Sequence, residues 1–316
     1  MKKYIYLCLL ILIVNVLQAQ KISGKLTAMS GQTIKLEGFK GFQTYTISTS
    51  NVDKSGFFNL SYGKTDTGMG YLISEDNKPL FVVLSGEDIE INGLSTGETN
   101  SIDIVKGFEN QQFARYASEQ PKREQVLSAW GYLDNIYRQD TFFSSHMQPI
   151  GAIAAEKKRL NEEELVFLQQ LPSNSYVRWF LPVRRLVSTV STIAQYRPDE
   201  IPVALQSLRL LDLADPRLHK SGLLKDALEG HFWLIENSGK PLECVFADMR
   251  ISIDMLVQQL STKERELNDI TNYLFDLLGR HSLFEASEYL ALKVLQQTSC
   301  TIDNNLAKQL ETYRAM

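Results

Sequence analysis

Apolar positions along the chain change period near residue 107. Before that point, short apolar runs alternate with polar residues. Ile22 to Leu26, Thr33 to Leu36, Thr44 to Thr49, Phe57 to Ser61, Gly70 to Ile73, Phe81 to Leu84 and Ile89 to Asn92 read as strands. Turn-forming groups separate them: Ser30-Gly31, Gly38 to Gly41, Asp53 to Gly56, Asp76 to Pro79 and Ser85 to Asp88. Ile34-Lys35-Leu36-Glu37 and Ile89-Glu90-Ile91-Asn92 show the period of two that leaves one face wet. Short strands at near-regular spacing predict an antiparallel β-sandwich or barrel.

After residue 107 the period becomes helical. Val126, Leu127, Trp130, Leu133, Ile136 and Tyr137 follow the i, i+3, i+4, i+7 template within 125–137. Further helices are expected over 149–170, 175–195, 202–213, 222–235, 243–259, 263–279, 283–297 and 303–314. Ser261-Thr262-Lys263-Glu264 and Ser282-Leu283-Phe284-Glu285 match the S-x-x-E capping box, and Pro202 suits a first helical turn. The expected class is therefore α+β: a β-domain over 21–106, then an all-α helical domain over 107–316.

The first twenty residues stand apart. Lys2 and Lys3 precede an apolar run from Tyr4 to Val14, and Ala19 supplies a small residue for cleavage. This predicts a signal peptide over 1–20 and an exported protein of the periplasm or cell envelope. The run is shorter than the ~20 apolar residues of a membrane anchor. Cys8 lies inside the run rather than just after it, which argues against a lipoprotein. No later stretch reaches spanning length, so no integral membrane segment is expected after cleavage.

Net charge is −4 in 316 residues. Basic residues are scattered, which argues against nucleic acid as a partner. Only Cys244 and Cys300 follow the expected leader. Two thiols make no disulfide framework, and the sequence leaves open whether they pair or stay separate.

The search for chemistry gives little. His146, His219, His231 and His281 have no His or Cys neighbour at metal-ligand spacing, so no metal or cofactor is expected. There is no G-x-S-x-G, no C-x-x-C and no phosphate loop in Gly63 to Gly70. Glu162-Glu163-Glu164 reads as a solvated helix face. Trp130, Trp179 and Trp233 fall on apolar helix faces and read as core. Phe39, Phe42, Tyr45, Phe57, Phe58 and Tyr62 cluster in the β-domain. They either fill its core or, through surface aromatics such as Phe39 and Phe42, hold a glycan or peptide.

Three segments carry a family resemblance. Ile22-Ser23-Gly24-Lys25-Leu26 with Thr33-Ile34-Lys35-Leu36 and Phe57-Phe58-Asn59-Leu60 is similar to a β-domain of unknown function. Leu283 to Leu295, and Cys300 to Asn304 leading into Leu310 to Met316, resemble the helical region that follows it. Together they resemble the N-terminal part of secreted thioredoxin-like proteins of a Gram-negative phylum, of the thiol–disulfide interchange and peroxidase type. The resemblance implies a thioredoxin domain after Met316. The chain holds no W-C-x-x-C, and Thr298-Ser299-Cys300 is one residue short of the peroxidase T-x-x-C. The family's catalytic residues therefore have no counterpart here. The expectation is a non-catalytic accessory region, fragment or stand-alone, whose partner is an envelope or redox protein. A redox role through Cys244 and Cys300 is the alternative.

Overall fold

The computed structural model describes residues 19–297. It contains a two-sheet β region followed by helices, the α+β class expected. Cys300 and the helix expected over 303–314 lie outside the described residues. The chain divides into two compact units. The first runs to Ala114 without Lys40–Phe42; the second takes Lys40–Phe42 and the chain from Arg115.

The first unit has eight strands: β1 (Gln20–Leu26), β2 (Thr33–Lys40), β3 (Gln43–Asn51), β4 (Phe57–Tyr62), β5 (Gly68–Ile73), β6 (Leu80–Leu84), β7 (Ile89–Gly93) and β8 (Asp103–Lys106). One sheet has the order β4-β1-β7-β8, the other β3-β2-β5-β6. Neighbours pair antiparallel in β1/β4, β2/β5, β5/β6 and β7/β8. β1 and β7 run parallel, Gly24 opposite Ile91. The alternation seen in the sequence sorts side chains between core and solvent. In β4, Phe58, Leu60 and Tyr62 are buried, and Phe57, Asn59 and Ser61 are exposed. Ile22, Ile34, Leu36, Leu72, Val82 and Ile91 fill the same core.

Two buried polar side chains of this unit, Tyr62 and Asn110, are paired with backbone groups. The Tyr62 hydroxyl donates to the Glu87 carbonyl at 2.6 Å and accepts from the Gly86 amide at 3.2 Å. Burial pushes it up to about 12. Asn110 imitates a strand: its Oδ1 accepts from Val83 N and its Nδ2 donates to Val83 O, both at 2.8 Å. It thereby closes the outer edge of β6. Gln111 Nε2 donates to the Ile104 and Val105 carbonyls of edge strand β8 in the same way. Asn110→Ala leaves a buried amide and carbonyl unpaired and is expected to cost about 2 kcal/mol in a urea titration. Amide exchange at Val83 should accelerate in parallel; unchanged exchange would show that the edge is held by something else.

Ten helices follow among the described residues: α1 (Phe108–Gln139), α2 (Met147–Gln170), α3 (Tyr176–Ser188), α4 (Val190–Tyr196), α5 (Ile201–Arg209), α6 (Pro216–His219), α7 (Leu224–Glu236), α8 (Leu242–Gln259), α9 (Glu264–Arg280) and α10 (Phe284–Gln297). The Glu87 carboxylate accepts from Phe108 N and Glu109 N at 3.0 and 2.9 Å, holding negative charge at the positive end of α1. α9 shows why these segments are helical and buried. Leu267, Ile270, Thr271, Leu274, Leu277 and Leu278 form one inward stripe. The apolar members of the stripe join Leu234, Ile253 and Leu290 in the helical core.

Both expected capping boxes are absent. Ser261 instead donates to the Gln258 carbonyl, ending α8, and α9 starts from Lys263 without a side-chain cap. Ser282 takes a left-handed conformation, φ 58°, just past α9. Leu283 N then reaches back to Leu278 O, and Ser282 N bonds to Gly279 O. Both serines close the preceding helix rather than open the next, because a short connection gives the orphan carbonyls first claim on them.

Candidate functional site

The helical unit contains a cleft of about 810 Å³. α2, α3 and α5 form most of its wall. Apolar lining comes from Leu168, Pro182, Leu186 and Ala204, with Leu165 and Val203 at the lips. Leu165 is 55% exposed and Val203 69% exposed. Helical spacing brings Lys157, Asn161, Glu164, Leu165 and Leu168 of α2 to one side. Pro182 has no N–H to return to the carbonyl of Arg178, so α3 is one backbone bond short along this wall.

One wall is a chain of charges. The Tyr116 hydroxyl donates to Glu164 Oε1 at 2.8 Å. The other Glu164 oxygen is paired with the Arg185 guanidinium. Arg185 also donates to Asn161 Oδ1 at 3.0 Å and lies 3.5 Å from Glu124. Glu124 accepts from Arg197 at 3.1 Å, and Arg197 reaches Glu200 at 3.2 Å. Lys157 ends the chain 3.6 Å from Glu200. Glu164, Glu124 and Glu200 thus balance Arg185, Arg197 and Lys157. The Tyr116 phenol is held well above its ordinary range, by burial first and by the Glu164 charge second.

Close helix packing makes the chain possible. A Cβ at Gly131 of α1 would stand 2.8 Å from Arg197 Cγ and 3.0 Å from the Tyr196 carbonyl. Glycine there lets the Arg197 side chain cross α1 and stay 3% exposed.

The acidic run in α2 is only partly a solvated face. Glu162 and Glu163 are exposed, but Glu164 is buried. A signal was present: Ile153, Leu160 and Phe167 are the other buried residues of this helix, and Glu164 falls on their stripe. Its partners Tyr116 and Arg185, and the Glu124 and Arg197 that continue the chain, are far away in sequence, and no local motif joins them.

A second polar knot lies in the core. Ser252 Oγ accepts from Arg209 Nε at 3.0 Å, donates to the Asp248 carbonyl at 3.0 Å and stands 3.0 Å from His231 Nε2. Asp248 also pairs with Arg209 and Lys240. A serine beside an imidazole has nucleophile geometry. Here Ser252 is 2% exposed and His231 7% exposed, so the pair joins α5, α7 and α8 rather than meeting a substrate. Burial, reinforced by the Arg209 charge, pushes His231 down to about 3.

The unfolded chain accepts a proton that folded His231 resists. The stability from this difference is full above about pH 6.5 and is lost as pH falls toward 3, by about 1.4 kcal/mol per pH unit. The urea midpoint is expected to fall from about pH 6 to about pH 4, and to fall less in His231→Gln. An identical slope in the variant would show that His231 takes its proton without cost.

Cys244 is exposed in the first turn of α8. Phe39 is half-buried in a row of rings, 5.5 Å from Tyr71, which lies 6.0 Å from Phe81. The rings are tilted by 50° and 59° rather than coplanar. Phe42 is partly buried and stacks on Tyr273 at 4.4 Å, against the helical core. Phe58 and Tyr62 are core; Phe57 is exposed, with Lys25 over its ring at 5.4 Å. Trp179 and Trp233 pack partly buried against the helical core, and Trp130 is half-buried. His219 Nε2 bonds the Leu213 carbonyl and His281 Nδ1 bonds Glu236.

Among the described residues no group of three or more His, Cys, Asp or Glu is placed to hold a metal ion. Among the same residues no helix is long and apolar enough to cross a membrane. No family model, curated protein or solved structure matches the chain.

Proposed function

We propose that this chain is an exported, non-catalytic partner-binding region of a thioredoxin-like envelope protein, and that the helical cleft is its docking site. The observation that carries this reading is the state of the cleft's charges. Glu164, Arg185, Glu124 and Arg197 are engaged with one another. A general acid, base or nucleophile needs a group whose proton or lone pair is free for substrate. These groups hold the wall in place instead, and leave an apolar lining with exposed lips to receive a partner. Export rests on the leader-like residues 1–20, and the envelope family on the resemblance of the β and helical segments.

The assay is direct. Purified protein is expected to give background rates of insulin reduction and peroxide turnover. A rate lost in Cys244→Ser would overturn the non-catalytic reading. The redox alternative has one accessible thiol in its favour, Cys244. It requires that Cys244 resist alkylation in protein isolated without reductant, and ready alkylation would remove it. The aromatic alternative keeps Phe39 in a ring row but finds Phe42 occupied by Tyr273.

A further inference from the structure

Four strands end the two sheets, β4 and β8 in one and β3 and β6 in the other. Three of these edges carry a block. Asn110 pairs with Val83 on β6, and Gln111 reaches two carbonyls of β8. Asp53 takes both backbone groups of Phe57 at the start of β4. Its N donates to Phe57 O at 2.8 Å, and its Oδ1 accepts from Phe57 N at 2.9 Å. β3 is the fourth edge and spans nine residues, of which Gln43, Thr44, Thr46, Thr49 and Asn51 are exposed. Edge strands commonly carry lysine or proline against unwanted pairing. β3 has neither, and no charged residue occurs from Gly41 to Val52.

The edge is also held in place. The Tyr45 hydroxyl donates to Asp66 Oδ1 at 3.0 Å, and Thr33 Oγ1 donates to Asn51 Oδ1 at 3.3 Å. Just past its end, Val52 N donates to Gln32 O and Val52 O accepts from Gly31 N. A strand already fixed loses little conformational freedom when it is paired.

The sequence of β3 fits itself. About a two-fold axis at Ile47, an antiparallel copy sets Thr46 against Ser48, Thr44 against Ser50, Tyr45 against Thr49 and Gln43 against Asn51. No like charges meet, and Thr–Ser pairs stabilise antiparallel ladders. A foreign strand would need side chains that choose its register, and an uncharged run of Ser and Thr offers little to choose by. For a second β3 the symmetric register is the one that pairs all nine residues.

We propose that β3 pairs antiparallel with β3 of a second copy of this chain, joining two four-stranded sheets edge to edge. The contact is isologous, so it uses both open edges and closes at a dimer. It does not depend on the docking reading of the cleft.

Sedimentation velocity of the purified protein tests this. A monomer–dimer equilibrium is expected in the micromolar range, with no larger species. Gln43→Lys with Asn51→Lys sets two like-charged pairs across the axis and should weaken the dimer about tenfold. Gln43→Lys with Asn51→Glu sets opposite charges at the same places and should restore it. Both positions are exposed, and a thermal melt checks that each variant is folded. A monomer throughout that range, larger assemblies, or a dimer indifferent to the two lysines would overturn the pairing. Equal weakening by both variants would overturn it too, since Gln43 would then not face Asn51 of the second copy.

Discussion

Gly24→Ala is expected to destroy the first unit. Gly24 lies at the middle of β1, with Phe58 of β4 on one side and Ile91 of β7 on the other. A Cβ built there stands 1.7 Å from the Ile91 carbonyl oxygen and 2.6 Å from its carbon, at φ +158°. The obstacle is backbone, held on both sides by a ladder, so no rotamer relieves it. Separating β1 from β7 would break the pairing that puts Ile22, Leu26, Ile89 and Ile91 into one core. The cost should reach about 4 kcal/mol or more, the range of the severest single substitutions. Gly31→Ala is the control. Its φ is +82° but its Cβ would meet nothing within 4 Å. It should cost only about 1 kcal/mol, from backbone strain alone. Hydrogen exchange of β1 and β7 amides reads the difference; similar protection in both variants would show that the clash relaxes locally.

Glu164→Ala should have the second largest effect. It removes both the acceptor of the buried Tyr116 hydroxyl and the close partner of Arg185. Breaking a buried pair from one side leaves the other charge uncompensated, which costs about 3–5 kcal/mol when burial is complete. Arg185 keeps 28% of its side chain in solvent and retains Asn161 and Glu124, so about 3 kcal/mol is expected here. The double variant Glu164→Ala with Arg185→Met isolates the coupling. It should be less destabilised than the sum of the singles. Additive losses would mean that the two side chains are bystanders and that the cleft wall is held by its apolar packing.

Local patterns made most of the architecture readable. All seven strands and eight helical segments expected within residues 19–297 have counterparts, because alternation and amphipathic stripes reflect which face is buried. The differences have local causes. β8 was missed because Asp103–Lys106 is short and its pattern, Ile104 between charged neighbours, is weak. α1 begins at Phe108 rather than 125, since Pro121 and the charged residues around it hide a helix that runs through them. The helix expected over 175–195 is interrupted at Thr189, whose hydroxyl donates to the Arg185 carbonyl. The cleft was not readable as a site. Its charges come from α1, α2, α3, the end of α4 and the turn before α5, and only folding brings them together. Glu164 alone left a trace, as a carboxylate on an apolar stripe.

Site-specific photo-crosslinking in cells that produce the chain tests the docking claim most directly. A benzophenone side chain at Val203 sits on the cleft lip, and one at Ile251, 49% exposed on α8, provides a surface reference. The account predicts a discrete protein adduct from position 203, none from 251, and loss of the 203 adduct when Ala204→Trp fills the cleft. Equal adducts from both positions, or a 203 adduct that persists with the cleft filled, would contradict it.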